Sequence, residues 1–443
     1  MKAIIHPSNL NGAIQAPASK SSMQRACAAA LLRQGKTIID DAGYSNDDKA
    51  ALEIITKLGA QVEKAGRTVT VNSKGFPTTL KQGEDVQINC GESGLGIRMF
   101  TPIAALSENH ITIEGEGSLR NRPMDFFDTT LPLLGVKIKS SKGKLPLSIQ
   151  GPLVPGNVSI DGSLSSQFLT GLLMAYSSRL SVDPNFREEV SISVSNLKSR
   201  PYVDLTLDLI NHFGFISPEN VNYREFIFHP GHSTRQDERE ITYTVEGDWS
   251  GSAFLLVAGA IAGPVTVRGL DIFSSQADKA IIDVLMACNA GLAIEAKGIV
   301  VHPGNLQGFH FDATDSPDLF PPIAALASYC HGQSVVKGVS RLRYKESDRG
   351  MTLQNEFSKL GVRIEINGDE MIIEGDKAIK GATVNSCRDH RIAMACAIAA
   401  LKAEGSTTIE DAEVVEKSYP QFYDDLKKLG GAVSLDSKFT WHE

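Results

Sequence analysis

One pattern recurs six times along the chain: a short amphipathic helix, a glycine, then an alternating strand that turns back on itself. It reads TKLGAQVEK around Gly59, LPLLGVKIK around Gly135 and NHFGFIS around Gly214. It reads CNAGLAIEA around Gly291, SKLGVRIEI around Gly361 and KKLGGAVSL around Gly430. The spacings are 76, 79, 77, 70 and 69 residues. Glycine directly after a helix is the left-handed residue with which a chain leaves the helix for a strand. Alternation such as Val-Arg-Ile-Glu-Ile then reads as a half-buried strand.

A second segment precedes each of these. It is a helix that is apolar nearly all round: SMQRACAAALL, GIRMFTPIAAL, SQFLTGLLMAY, SAFLLVAGAIA, DLFPPIAALAS and HRIAMACAIAAL. A helix apolar on every side must be buried. β-Rich stretches such as HITIEGEG and VSISVSN lie between the two kinds of helix. Each repeat therefore reads strand, buried helix, strand, surface helix, hairpin. Six repeats of about 70 to 80 residues account for the whole chain.

With 443 residues, a single core is too large, and three repeats in each of two domains are expected. The irregular segment 217–239, which contains HPGHSTRQDERE, reads as the connection between them. Hydrophobic residues make up 42% of the chain and charged residues 22%, which excludes global disorder. The net charge of -8 makes a general binder of nucleic acid or anionic membrane a poor reading. The longest uncharged apolar run falls short of a bilayer span. MKAIIHPSNL has neither the apolar stretch of a signal peptide nor the character of a transit helix, so the cytoplasm is expected. The six cysteines have no CxxC spacing and read as free thiols. The ten histidines form no HxxxH or HExxH set, so neither a metal nor a cofactor is expected.

Basic residues stand where the helix dipole disfavours them. Helix N-termini carry partial positive charge and favour acids. Yet Lys20 and Arg25 open the first buried helix, Arg98 lies early in the second, and His390 and Arg391 open the sixth. The third opens with Ser165, Ser166 and Gln167. RNRP (Arg120, Arg122), LKSRPY (Lys198, Arg200), RYKESDR (Lys345, Arg349) and VEKSYP (Lys417) repeat the theme at the second helices. Any one of these could be a solvated surface charge or lie beside an ordinary cap. Together, in an acidic chain, they point to a functional site. Parallel buried helices would bring their N-termini to one face, suited to a small, multiply anionic ligand. Among the cations stand Asp318 and Glu346, which read either as salt-bridge partners or as an acid/base pair tuned by the cations.

SKSSMQR, ESGLGIR, RNRPM, GSLSSQF, SRPYVD, VEGDWSGSA, TDSPD, YKESDR, RDHR and EKSYP occur in this order. With these ten segments the chain resembles the enolpyruvylshikimate phosphate synthases of the enolpyruvyl transferase family over nearly its whole length. The resemblance implies an α/β fold: a two-domain, inside-out α/β barrel of six βαβαββ repeats around buried parallel helices. It implies domains over 18–243 (shikimate phosphate side) and over 1–17 plus 244–443 (phosphoenolpyruvate side), closing around substrate. The implied reaction moves the enolpyruvyl group of phosphoenolpyruvate to the 5-hydroxyl of shikimate 3-phosphate and releases phosphate, through a tetrahedral intermediate.

The resemblance also implies roles. Lys20, Ser21, Arg25, Ser165, Ser166, Gln167, Ser199 and Tyr202 would hold shikimate 3-phosphate, with Lys345 beside its hydroxyls. Gly94, Arg122, Arg349, Arg391 and Lys417 would bind phosphoenolpyruvate, sharing Lys20 and Gln167. Asp318 would be the base toward the 5-hydroxyl, in contact with shikimate phosphate, and Glu346, aided by Lys20, the proton donor to the methylene carbon. The partners would be these two small molecules, acting on a monomer, with no nucleic acid and no membrane. Glu92 stands where the family has Asn, Leu95 where it has Thr, Arg341 where an Asn often contacts shikimate phosphate, and Arg200 where it has Lys. These departures bear on affinity for phosphoenolpyruvate and for glyphosate, which binds in its place.

Two alternatives stay open. The related transferase acting on UDP-N-acetylglucosamine usually has Lys-Asn near its N-terminus and a loop Cys after the second buried helix. Here Ser21 follows Lys20, and no Cys lies between Cys90 and Cys288. A catalytically inactive anion-binding paralogue would keep binding but lose turnover.

Overall fold

The computed structural model of the chain describes residues 1–230 and 239–436. They form two compact units, Ala18–Glu246 and Met1–Pro17 with Gly247–Glu443. Each has its own hydrophobic core.

The core of each unit is a trio of helices that are apolar nearly all round. In Ala18–Glu246 these are Lys20–Leu32, Gly94–Ala104 and Ser166–Val182. In the other unit they are Trp249–Ala262, Phe320–Ala327 and His390–Ala400. Every residue of Gly94–Ala104, Trp249–Ala262, Phe320–Ala327 and His390–Ala400 is buried, as expected of helices with no polar face. Small residues let the helices approach closely. A Cβ at Gly171 would lie 2.6 Å from the Arg98 carbonyl, so glycine is required where the second and third helices touch.

Three four-stranded sheets accompany each trio. Strands such as Val86–Asn89 and Leu147–Gln150 bury every second residue, which turns one face to the helices. All six sheets have one order. A first strand pairs parallel with the second, the second antiparallel with the fourth, and the fourth antiparallel with the third. In the second repeat these are Val86–Asn89, His110–Glu114, Leu147–Gln150 and Lys137–Ser140, taken across the sheet. The first and second strands enclose the buried helix, the second and third enclose the surface helix, and the last two form the hairpin.

Three sheets are completed by strands from distant sequence. Ile241–Thr244 pairs with Gln34–Asp40 and supplies the first strand of the first sheet. Gly12–Gln15 pairs with Val265–Arg268 in the fourth, and Lys2–His6 is the fourth strand of the last. The chain thus begins in one unit, builds the other, and returns.

Two expectations are corrected. First, Gly291 is not the helix-ending residue of the fourth repeat. Gly59, Gly135, Gly214, Gly361 and Gly430 all have positive φ, whereas here Asn289 takes that conformation at φ 63° and Gly291 opens the strand Gly291–Glu295. Asn is the residue after Gly that best tolerates left-handed backbone. Second, segment 217–239 is not simply a connection. Glu219–Val221 and Glu225–Phe228 are the hairpin of the third sheet. Residues 231–238, which hold most of HPGHSTRQDERE, lie outside the described residues.

Candidate active site

None of the six buried helices carries an acid in its first turn. Surface helices such as Asn46–Lys57 and Phe422–Lys428 do. Five of the six buried helices start at a Ser or Asp whose side chain accepts a backbone N–H: Ser19, Ser93, Ser165, Asp248 and Asp389.

In Ala18–Glu246 the helix N-termini are tied together by polar side chains. Ser93 donates to Gln24 Oε1 at 2.8 Å, joining the first and second helices. Arg98 Nη1 donates to Gln167 Oε1 at 2.9 Å, joining the second and third, and its guanidinium lies 5.2 Å from the Phe168 ring centre. Arg25, fully buried, reaches the third helix through Nη2, which donates to Thr170 Oγ1; its Nε donates to Thr206 Oγ1 at 2.9 Å and its Nη2 to the Tyr202 carbonyl, both on Arg200–His212, and its Nη1 to the Ser21 carbonyl. None of these four acceptors is a carboxylate. Burial accordingly lowers the Arg25 guanidinium to about 10.

The remaining expected residues of this unit sit on the same ends. Lys20, the first residue of its helix, donates to Asp47 Oδ2 at 2.9 Å. Gly94 opens the second helix, and a Cβ there would lie 2.6 Å from Arg122 Nη1 and 3.3 Å from Arg98 Nη1. Two guanidinium groups therefore flank bare backbone at a helix N-terminus, an arrangement that suits an anion. Arg122 also donates to Ser118 Oγ at 3.2 Å. Ser165 caps the third helix by accepting from Gln167 N–H, and Ser166 is buried beside it. Ser199 precedes Arg200–His212 with φ 56°, and its hydroxyl makes no capping bond. Tyr202 lies 6.0 Å, ring centre to guanidinium carbon, from Arg25.

In the other unit six expected residues converge on one another. Asp318, in the turn before Phe320–Ala327, accepts from Lys345 Nζ at 3.2 Å, Arg349 Nη1 at 2.7 Å and Arg391 Nη2 at 3.1 Å. Glu346 accepts from Arg349 Nη2 at 2.6 Å and lies 2.9 Å from Lys417 Nζ. Burial opposes ionisation of Asp318, but Arg391, Lys345 and Arg349 outweigh it and hold the carboxyl well below the usual carboxylate range. The Asp318–Arg391 contact joins the starts of the fifth and sixth helices. Tyr329 Oη donates to the Ala399 carbonyl at their far ends, at 2.6 Å, so these two helices run parallel.

Some participants carry no role in the sequence reading. Asp389, within RDHR, is fully buried and binds Arg349 through both oxygens. Its place in a motif was visible; its partner was not. Thr170 is a polar residue within the apolar run FLTGLL, and that anomaly was an available signal; Asp47, Gln24 and Thr206 stand near other polar residues and offered none. Asp278, fully buried, accepts from Ser250 Oγ. Burial first, then Asp318, raises its carboxyl to about 6. Arg341 Nε lies 3.4 Å from the Thr314 carbonyl, and burial lowers its guanidinium. Among the described residues no group of three or more His, Cys, Asp or Glu could hold a metal ion. None of their helices is long and apolar enough to cross a membrane.

The family model described as EPSP synthase (3-phosphoshikimate 1-carboxyvinyltransferase) matches residues 4–426. The chain is similar to the 3-phosphoshikimate 1-carboxyvinyltransferases of Clostridium novyi and Clostridium acetobutylicum, at 38% identity each. Each match covers 97% of both sequences. Among solved structures, it resembles an EPSP synthase from Acinetobacter baumannii with a TM-score of 0.79 and 24% identity, covering 98% of this chain and 100% of that one. It resembles the enolpyruvyl transferase NikO from Streptomyces tendae with a TM-score of 0.74 and 18% identity, covering 98% of each chain. The chain belongs to the EPSP synthase (3-phosphoshikimate 1-carboxyvinyltransferase) family.

Proposed function

We propose that this chain transfers the enolpyruvyl group of phosphoenolpyruvate to the 5-hydroxyl of shikimate 3-phosphate, giving enolpyruvylshikimate phosphate and inorganic phosphate. The observation that carries the reading is the Asp318–Arg349–Glu346 arrangement: two carboxylates bridged by one buried guanidinium, with Lys345, Arg391 and Lys417 around them. The reaction needs two proton-transfer groups and cations for two phosphates and a carboxylate. This family member offers that inventory.

Asp318 is read as the base toward the 5-hydroxyl. In the free protein its cations hold it ionised but weakly basic. Anionic substrate groups that engage the same cations raise its proton affinity, so the base strengthens when substrate is bound. The alkoxide oxygen then bonds to C2 of phosphoenolpyruvate while Glu346, aided by Lys20, delivers a proton to the methylene carbon. The product is a tetrahedral intermediate carrying a methyl group. Return of a methyl proton to Glu346 and departure of phosphate restore the double bond.

Lys20, Ser21, Arg25, Ser165, Ser166, Gln167, Ser199, Tyr202 and Lys345 are read as holding shikimate 3-phosphate. Gly94, Arg122, Arg349, Arg391 and Lys417 are read as holding phosphoenolpyruvate, with Lys20 and Gln167 shared. The chain is taken to act as a cytoplasmic monomer, which light scattering on the purified protein would check.

Phosphate release with phosphoenolpyruvate plus shikimate 3-phosphate, run beside phosphoenolpyruvate plus UDP-N-acetylglucosamine, tests the reaction. Release only with the shikimate substrate is expected; release only with the nucleotide sugar would overturn it. Asp318→Ala and Glu346→Ala should each lose turnover by about 10²–10⁴, with shikimate phosphate affinity held within about tenfold. Near-normal turnover in either variant removes that residue from the mechanism.

A further inference from the structure

The helix Arg200–His212 begins under strain. Ser199, the residue before it, is left-handed at φ 56°, and its hydroxyl makes no capping bond. Left-handed backbone is costly for a residue with a side chain, so it persists where surrounding contacts fix it. Those contacts come from the hairpin of the third sheet. At its tip Arg224 N–H donates to the Val221 carbonyl at 3.0 Å, and Asn222 and Tyr223 between them are left-handed at φ 53° and 57°. Hairpin turns of this kind favour Asn followed by Gly. Asn222 fits that preference, whereas a tyrosine in the second place is strained. A strained bulky residue in an exposed hairpin points to a task beyond the hairpin itself.

The contacts of Tyr223 show what it holds. Its hydroxyl donates to Asp204, lying 2.9 Å from Oδ1 and 2.8 Å from Oδ2. Its ring centre lies 5.5 Å from the guanidinium carbon of Arg200. Its own N–H donates to Asn220 Oδ1 at 2.8 Å, which fixes the tyrosine backbone in the hairpin. Arg200 and Asp204 are four residues apart, so they are neighbours on one face at the start of the helix. Tyr202 stands between them in the chain. Its carbonyl accepts from Arg25 Nη2 at 3.3 Å and from Thr206 Oγ1 at 2.8 Å. One side chain from the hairpin thus grips both ends of the segment that carries Tyr202 and follows Ser199, and the same segment supplies a carbonyl that holds Arg25.

Given the reading of Ser199, Tyr202 and Arg25 as shikimate 3-phosphate residues, we infer that Tyr223 is a positioning residue for that substrate. It acts through Asp204 and Arg200, keeping the start of Arg200–His212 in its strained, binding-ready form. Without the hydroxyl, Asp204 is released and the helix start relaxes. Re-ordering it then opposes binding. The loss falls on affinity for shikimate 3-phosphate and not on the chemical step once both substrates are bound.

The test is calorimetric titration of the full chain with shikimate 3-phosphate alone, beside steady-state kinetics. Tyr223→Phe keeps the ring and loses only the hydroxyl. It should weaken shikimate 3-phosphate about tenfold and raise its KM by a like factor. Turnover at saturation, and KM for phosphoenolpyruvate at saturating shikimate 3-phosphate, should stay within about twofold. A merely structural role would do the reverse, lowering turnover through loss of folded protein and leaving the dissociation constant alone. Tyr223→Gly suits the hairpin backbone better than the native residue, yet it should weaken shikimate 3-phosphate at least as much as Tyr223→Phe. Asp204→Ala should weaken it to a similar degree, and adding Tyr223→Phe to that variant should cost little more, because the two residues act through one contact. Unchanged affinity in both Tyr223 variants, or full additivity with Asp204→Ala, would overturn the inference and leave the proposed reaction standing. No binding of shikimate 3-phosphate by the native chain would overturn the substrate reading, and the role of Tyr223 with it.

Discussion

Arg349 and Asp389 are joined by two hydrogen bonds, Nε to Oδ2 at 2.9 Å and Nη2 to Oδ1 at 3.2 Å, with both side chains fully buried. Asp389 also caps the sixth buried helix through Arg391 N–H and accepts from Ser347 Oγ. One carboxylate thus aims two arginines: Arg349 by its side chain and Arg391 by the start of its helix. Burial works against the Arg349 charge, but Asp389, Glu346 and Asp318 outweigh it and raise its pKa. Removing one partner of a buried pair costs about 3–5 kcal/mol, because the other charge stays behind. Asp389→Ala should lower unfolding free energy by that amount in urea titrations, and should weaken phosphoenolpyruvate more than shikimate phosphate.

Asp318 makes a pH prediction with a definite sign. Its folded pKa is depressed, so the unfolded chain binds the proton more tightly. Its ion pairs therefore stabilise fully above about pH 5 and progressively less as pH falls below about 4. The stability difference between the native protein and Asp318→Asn should be flat at neutral pH and shrink in acid. Denaturant titrations from pH 7 down to pH 3 would measure it; a difference that grows in acid contradicts the assignment.

Arg25 is a buried cation held by hydroxyls and carbonyls rather than by a carboxylate. Such a site is incomplete until an anion arrives. Arg25→Met should raise the melting temperature of the ligand-free protein, since a desolvated charge is removed. It should also weaken shikimate 3-phosphate roughly 10- to 100-fold, the scale of a charge-assisted hydrogen bond. Calorimetry with each substrate alone would separate the effects, and loss of phosphoenolpyruvate affinity alone would count against the role.

Gly94→Ala tests the other anion site. The added methyl would press on Arg122 Nη1 at 2.6 Å and force the guanidinium away from the helix start. KM for phosphoenolpyruvate should rise about tenfold or more, while turnover at saturation changes little, the signature of lost uniform binding. An unchanged KM would place Arg122 outside that site.

Much of this was legible from residues alone. The six buried helices stand where all-apolar runs predict them, because a helix with no polar face has one place to go. Five of the six glycine caps hold, and the sixth moves two residues to Asn289, since Asn and Gly both serve there. Segment 217–239 was misread because the three- and four-residue strands of its hairpin are too short to show alternation against a polar background.

The sequence by itself determined the repeat, the burial of its central helices and the basic residues at their starts, because periodicity and dipole preference are local. It did not determine who meets whom. Arg349 with Asp389 and Arg25 with Thr206 are separated by 40 and 181 residues. Nor does any local rule send Lys2–His6 to pair with Thr407–Glu410. Those partnerships exist only once three helices share a core and their N-termini are brought to one end, and the tertiary structure alone decided them.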